Sequence, residues 1–461
     1  MNRYRSLNGM QKMMLRWEAF HPVNAVHIVE FRDSLSSKEI ELAIRRSSRS
    51  LRLRPVEFCP RLLQFRYADV AYDSAAEFPE FEIRRCVHPA RQALQTILDE
   101  QLNRPFGDGV HWPWRFVQID VAGSPTCLAL VYQHAVTDAR GASLVLREIV
   151  RSLFGDSLRT PDLQIDPPPR RALFPDDLGV RSVPRRIAAT MHEFAASSSC
   201  YQVRPQAIGV ETIFSNVHAT TVSTALVKQT TRSCGGTVQD LLFAALFEGL
   251  GLLFQDRLES SRRKTLAIRA MVDLRRDSCV NVDHALAQLL GCMTVRLRVG
   301  PGARFDDIVS RVAQQTRASK ERKSYRGYAA QLETMSRLWD CAPQWLNRAF
   351  SPRAFPAAGM ISNTNLSDFL ADEVAASRIG NYFRLTGTGP LSPMMMSVTT
   401  VGPALNITTT HHANKFSPSE ILWLGSHVQA RLTGVWDAMA APGRVRDPMP
   451  NSEAVALRPA A

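Results

Sequence analysis

The segment 126–133 (TCLALVYQ) is an almost unbroken apolar run. It passes through His134-Ala135-Val136-Thr137-Asp138 directly into an apolar helix expected from about 139 to 154. A strand that gives way so abruptly to a helix is a unit of an α/β sheet, and the turn between the two is where such sheets present functional groups.

The same mixture of elements extends on both sides. Strands are expected at 24–31 (NAVHIVEF), 61–67 and 115–121, with a helix opened by the capping box Ser36-x-x-Glu39 and another at 89–102. Prolines at 161, 167, 168, 169, 175 and 184 occur where few apolar residues are available for burial, so 161–184 reads as an extended linker. Beyond it, strands are expected at 212–223, 265–273, 292–299, 359–363, 394–401 and 404–410. A buried helix at 237–254 starts at Thr237-x-x-Asp240, and a late helix covers 417–431. The chain thus divides into an N-terminal half (1–160), the linker (161–184), a C-terminal half (185–445) and a mobile tail (446–461).

Composition narrows the class. With 461 residues, 45% hydrophobic and 21% charged, the chain has the material for more than one globular core and is neither disordered nor collagen-like. Its longest apolar stretch, 238–254, is interrupted by Gln239, Asp240 and Glu248 and is too short for a bilayer span. The first twenty residues lack the apolar core of a secretory signal, so a cytoplasmic, monomeric protein is expected. The eight cysteines show no CxxC spacing; neither a metal site nor a disulfide scaffold is indicated, and they read as buried thiols. Net charge is +13, but 49 arginines stand against 7 lysines without a basic tract. That pattern reads as codon bias and not as a nucleic-acid surface. The sequences GxxxxGK[ST], GxSxG, HExxH and a strand-linked GxGxxG are all absent, which removes support for nucleotide hydrolysis, serine-hydrolase, zincin and Rossmann chemistry.

His134 and Asp138 remain. An imidazole with an ordinary pKa near 6.5 suits removal of a proton from a hydroxyl, amine or thiol at neutral pH. Other polar candidates read as structural. His411-His412 is taken as a surface pair, Met394-Met395-Met396 as core or tunnel wall, and His111 as a packed loop histidine.

The order of several segments resembles the chloramphenicol-acetyltransferase-like superfamily, in particular stand-alone condensation domains and alcohol or polyketide-associated acyltransferases. The opening LNGMQKMMLRWEAFHPVNAVHIVEF is similar to that family's first strand–helix unit, and LALVYQHAVTDARGASLVLREI to its HxxxD strand, loop and helix. TVQDLLFAALFEGL, AIRAMVDLRRD, LGCMTVRL and ISNTNLSDF resemble successive elements of its second half. The resemblance implies an α/β protein of two similar halves, each a mixed sheet flanked by helices, with an active-site tunnel between them. It further implies that His134 is the general base and that Asp138 is architectural, paired with an arginine of the second half. Arg275 is the expected partner, ahead of its neighbour Arg276. Gly141, Ser362 and Asn363 are expected as substrate or oxyanion contacts.

Two departures from the condensation-domain pattern HHxxxDG stand out: Gln133 at the first histidine position and Ala139 at the glycine. The glutamine is common among O-acyltransferase relatives. The alanine methyl narrows the donor channel, or Gly141 supplies the flexibility two residues later. The expected function is therefore transfer of an acyl group from a CoA or phosphopantetheinyl carrier-protein thioester to a small alcohol or amine, without a bound cofactor or an acyl-enzyme. The alternative is a non-catalytic relative that binds an acyl carrier protein or synthase subunit.

Overall fold

The computed structural model describes residues 4–434, except 60–63, 71, 73–77, 88–89, 155–162, 166–169, 176–182, 204–212, 301, 340, 342, 344, 348–355, 371–372 and 390–391. The tail 446–461 and much of 161–184 lie outside the described residues. Among the described residues, fifteen strands, numbered here in chain order, form three sheets. A small antiparallel sheet holds Arg5–Ser6 (β1), Val56–Cys59 (β3), Gln64–Tyr67 (β4) and Val110–His111 (β6).

The second sheet contains Asn24–Phe31 (β2), Glu80–Cys86 (β5), Trp114–Val121 (β7), Cys127–Gln133 (β8) and Ile379–Thr386 (β13), in the order β13-β2-β8-β7-β5. It is mixed: β5 and β7 run parallel and the other pairs antiparallel. The apolar run is its central strand. Because successive side chains alternate in direction, Leu128, Leu130 and Tyr132 pack into one core with the helices Ser37–Ser50 and Ala139–Phe154. Ala129 and Val131 pack on the other face against the helix Ala90–Asn103. A central strand covered on both faces has no need of polar alternation, which explains its composition.

The third sheet is formed by Ile213–Ser223 (β9), Leu266–Asp273 (β10), Leu290–Leu297 (β11), Gly359–Asn365 (β12), Met394–Val401 (β14) and Ala404–His412 (β15), in the order β11-β10-β12-β14-β15-β9. It too is mixed, with parallel pairing only along β10-β12-β14. The helix Val238–Leu253 is buried against it, packed by Phe305–Glu321 and Pro418–Thr433. Its start follows the sequence signal: the Thr237 hydroxyl and the Asp240 carboxylate cap one another.

Three contacts bind the two larger sheets into one body. β13 lies far along the chain, yet it pairs with β2 in the first-half sheet. The helix Ala90–Asn103 packs against β9, and Gly9–Glu18 packs against Gly327–Trp339. The 161–184 region also participates, because Leu173 and Phe174 are buried with Leu274, Val282 and Leu289.

Gly9 sets the spacing of the last helix pair. A Cβ there would lie 2.7 Å from both Ala329 O and Glu333 N, main-chain atoms that cannot rotate away. Gly9→Val should therefore cost about 1–3 kcal/mol through overpacking. The measurement is thermal unfolding: a lowered Tm is expected, and an unchanged Tm would show that the helices do not approach so closely.

Candidate active site

His134 follows the last residue of β8, and both flanking strands hold its backbone. Gln133 N donates to Pro113 O (3.0 Å) and His134 N to Val23 O (3.0 Å). Nδ1 of the imidazole lies 3.0 Å from Thr137 O, which can only accept, and 3.0 Å from Gln288 Nε2, whose two hydrogens go to Thr137 O and His134 O, so Nδ1 carries the proton. Nε2 then keeps its lone pair and has no hydrogen-bond partner among the described residues. The Gln288 amide secures the turn by donating to Thr137 O (2.6 Å) and to His134 O. Burial lowers the His134 pKa below 6.5, and the positive charge of Arg384 acts in the same direction. The Thr137 carbonyl and the Asp138 charge oppose the shift.

Asp138 does not touch the imidazole. Oδ2 accepts from Arg275 Nη1 (2.8 Å) and Leu289 N (3.1 Å), and Oδ1 from Arg275 Nη2 (3.0 Å) and Gly141 N (3.2 Å). The Arg275 and Asp138 side chains are 2% and 1% exposed, so this is a buried bidentate pair between the two halves. Arg275 reaches Asp138 because β10 ends at Asp273 and a short 3₁₀ turn, Arg275–Asp277, follows. Burial works against its charge, but Asp138 and Asp273 outweigh that and raise its pKa. Arg276 is exposed and lines the cavity instead.

The structure separates the remaining sequence candidates. Gly141 is buried with its N–H on Asp138, and a Cβ there would overlap Thr137 Oγ1 and press on Leu286. The close approach it permits is between parts of the protein. Ser362 and Asn363, on β12, line the same cavity as His134. Ser362 Oγ accepts from Arg384 Nη1 (2.9 Å), whereas the Asn363 side chain has no hydrogen-bond partner among the described residues. Gln133 joins the Glu18 carboxylate (3.0 Å) to His111 Nε2 (3.0 Å), and Ala139 borders the cavity at the first residue of its helix.

That cavity has a volume of about 670 Å³. Met10, Met14, Trp17, Met271 and Met395 supply apolar wall, and His134, Asn363 and Arg384 supply polar groups. Met394 and Met396 belong to the core behind it. A second cavity of about 500 Å³, bordered by Trp112, Trp114 and Arg115, contains His111 but no pairing of base and nucleophile. Among the described residues, no group of His, Cys, Asp and Glu could hold a metal ion, and no single helix is long and apolar enough to cross a membrane.

Arg384 was missed as a site residue. It is 1% exposed on β13, a strand absent from the sequence reading. Two other readings need correction. His411 and His412 are not on the surface: β15 is flanked by β14 and β9, and the two residues are 2% and 0% exposed. His412 Nε2 lies 2.9 Å from Thr388 Oγ1, and burial pushes the His411 pKa down to about 4. Nor are all cysteines buried; Cys279 and Cys341 are exposed, the first just beyond the Arg275–Asp277 turn and the second just after Gly327–Trp339.

No family model and no curated protein sequence matches the chain. Solved structures do. The first condensation domain of the CDA synthetase matches with a TM-score of 0.67 at 12% identity, over 93% of this chain and 95% of that one. The trichothecene 15-O-acetyltransferase TRI3 from Fusarium sporotrichioides gives 0.69 at 11% identity, over 94% and 96%. The starter condensation domain of rhizomide synthetase RzmA, a mutant in complex with C8-CoA and Leu-SNAC, gives 0.63 at 12%, over 95% of both chains. The fold is therefore the two-lobed one of these condensation-domain and acetyltransferase structures, as the sequence resemblance implies.

Removing one member of a buried ion pair leaves the other charged and unpartnered, at a cost of about 3–5 kcal/mol. Asp138→Asn and Arg275→Ala should each lower Tm, and the double variant should lose less than their sum. Strict additivity in that cycle would show that the two side chains do not interact.

Proposed function

We propose that this protein, which has the condensation-domain fold, is an acyltransferase that moves an acyl group from a CoA or carrier-protein thioester to a small alcohol or amine. The observation that carries this reading is a buried imidazole whose proton is held at Nδ1 while Nε2 is unpartnered in a large, mostly apolar cavity. The tunnel between halves expected for this fold would admit donor and acceptor from opposite sides. The neighbour that binds C8-CoA supports a thioester donor.

In this mechanism the acceptor oxygen or nitrogen bonds to the thioester carbonyl carbon as its proton passes to His134 Nε2. Collapse of the adduct breaks the C–S bond, and the imidazolium returns the proton to the departing thiolate. Asn363, with its amide uncommitted, is the better placed of the two β12 residues to donate to the oxyanion. Asp138 carries no proton in this scheme; it holds the turn.

His134→Ala should lower acyl transfer by at least about 100-fold with the fold intact. The base must be neutral, so activity should fall as pH drops through its depressed pKa. The acid limb of log kcat/KM is then expected below 6.5. Near-wild-type turnover in the folded variant, or a limb centred above 6.5, would remove His134 from this role. A folded wild type inert toward every thioester and acceptor offered would instead favour the carrier-binding alternative.

Among the described residues, none of the hydroxyls and thiols on the strand, turn and helix that carry His134 stands ready to form an acyl-enzyme. The Thr137 hydroxyl is buried without a partner, Ser143 Oγ donates to Arg140 O (2.7 Å), and Cys127 is at the opposite end of β8, its pKa pushed up to about 12 by burial. Direct attack through a ternary complex follows. Intact mass after incubation with the donor alone should show no adduct; a stoichiometric adduct that later transfers to the acceptor would overturn direct attack.

A further inference from the structure

Arg384 is a cation without a counter-ion. Nε donates to Thr399 Oγ1 (3.1 Å), Nη1 to Ser362 Oγ (2.9 Å), and Nη2 to Val398 O (3.1 Å) and Ser362 O. All four acceptors are neutral, and no carboxylate among the described residues stands at ion-pair distance. The fifth N–H, on Nη1, has no acceptor among the described residues. Burial lowers its pKa only to about 10, so it remains charged at neutral pH.

The acids that border the cavity are elsewhere. Asp138 and Asp273 are held by Arg275, Asp277 by Lys323 and Tyr325, and the fourth, Asp283, is an exposed loop residue. Around Arg384 stand Ser362, Thr399, Tyr132, Tyr382 and His27; burial keeps His27 neutral, and Asp138 acts on the guanidinium only from beyond ion-pair distance. Buried charges in proteins are ordinarily paired, and an arginine left unpaired on a cavity wall is a receptor for an anion. Because Ser362 Oγ accepts from Arg384, its own proton is available beside the free Nη1–H. The two donors match the two oxygens of a carboxylate.

Resting on the acyltransferase reading, we propose that Arg384 and Ser362 form a carboxylate subsite, and that the acceptor is a hydroxy or amino acid. The base and the cation border one cavity, so a single molecule carrying a nucleophilic O–H or N–H and a carboxylate spans them. The same clamp suits a dicarboxylic acyl group on the donor, and the experiment separates these sources.

Ligand-observed NMR on the whole protein would screen aliphatic and aromatic hydroxy and amino acids, each beside its primary amide, and in a second arm monoesters of succinic and glutaric acid. Acids are expected to bind at least about tenfold more tightly than their amides. Arg384→Gln should abolish that preference, Arg384→Lys should keep part of it, and His134→Ala should leave it unchanged. Preference confined to the monoester arm would move the carboxylate to the donor and overturn the acceptor assignment. Equal binding of acids and amides, or no acid bound at about 10 mM, would overturn the subsite altogether. If Arg384→Gln does not fold, a crystal structure of the wild type with the tightest acid decides: the carboxylate on Arg384 supports the proposal, and one on Arg140 or Arg276 overturns it. Binding is read without turnover, so its failure is distinct from failure of the His134 test.

Discussion

The bidentate pair between Asp138 and Arg275 holds the His134 turn and the second half in one geometry. Its carboxylate accepts four hydrogen bonds, two from the guanidinium and two from the main-chain N–H groups of Gly141 and Leu289. Arg275 in turn binds Ala285 O, and Asp138 N donates to Ala287 O. The histidine turn is thereby locked to residues 285–289, the segment that delivers Gln288 to Thr137 O and His134 O. A carboxylate so fully occupied cannot also orient the imidazole. That task falls to a neutral carbonyl, which stabilises an imidazolium less than a carboxylate would and leaves burial free to depress the histidine pKa.

Much of this was legible in the sequence because the central strands and capped helices obey local rules. The apolar character of β2, β8 and β14 and the reciprocal caps at Ser36 and Thr237 are written in neighbouring residues. The segments that were missed follow a different logic. β13 has Gly380 and Asn381 near its start and the buried Arg384 in its middle, so its pattern argues against a strand until Ser362 and Thr399 are seen to receive the charge. His411 and His412 look like surface residues for the same reason: in isolation, two polar rings give no sign that a sheet will enclose them.

The two departures from the HHxxxDG pattern sit in physically different settings. Gln133 has become the link between a buried carboxylate and His111; burial pushes the Glu18 pKa up to about 7, with the Gln133 amide pulling it back. That chain ends at His111, which borders the smaller cavity. Ala139 simply begins its helix and adds one methyl to the cavity wall, a change of volume and not of charge.

The pairing of β13 with β2 also bears on how the chain comes to be folded. His27 and Tyr382, which meet across those strands, are 355 residues apart in sequence. At translation rates of about 5–20 residues per second, β2 waits roughly 20–70 s after its own synthesis before its outer neighbour exists. During that interval the first-half sheet presents an open edge of apolar strand, NAVHIVEF, to solvent. A strand made late in synthesis thus completes the first sheet, and a chain truncated before residue 379 is left with a surface suited to pairing with another copy of itself.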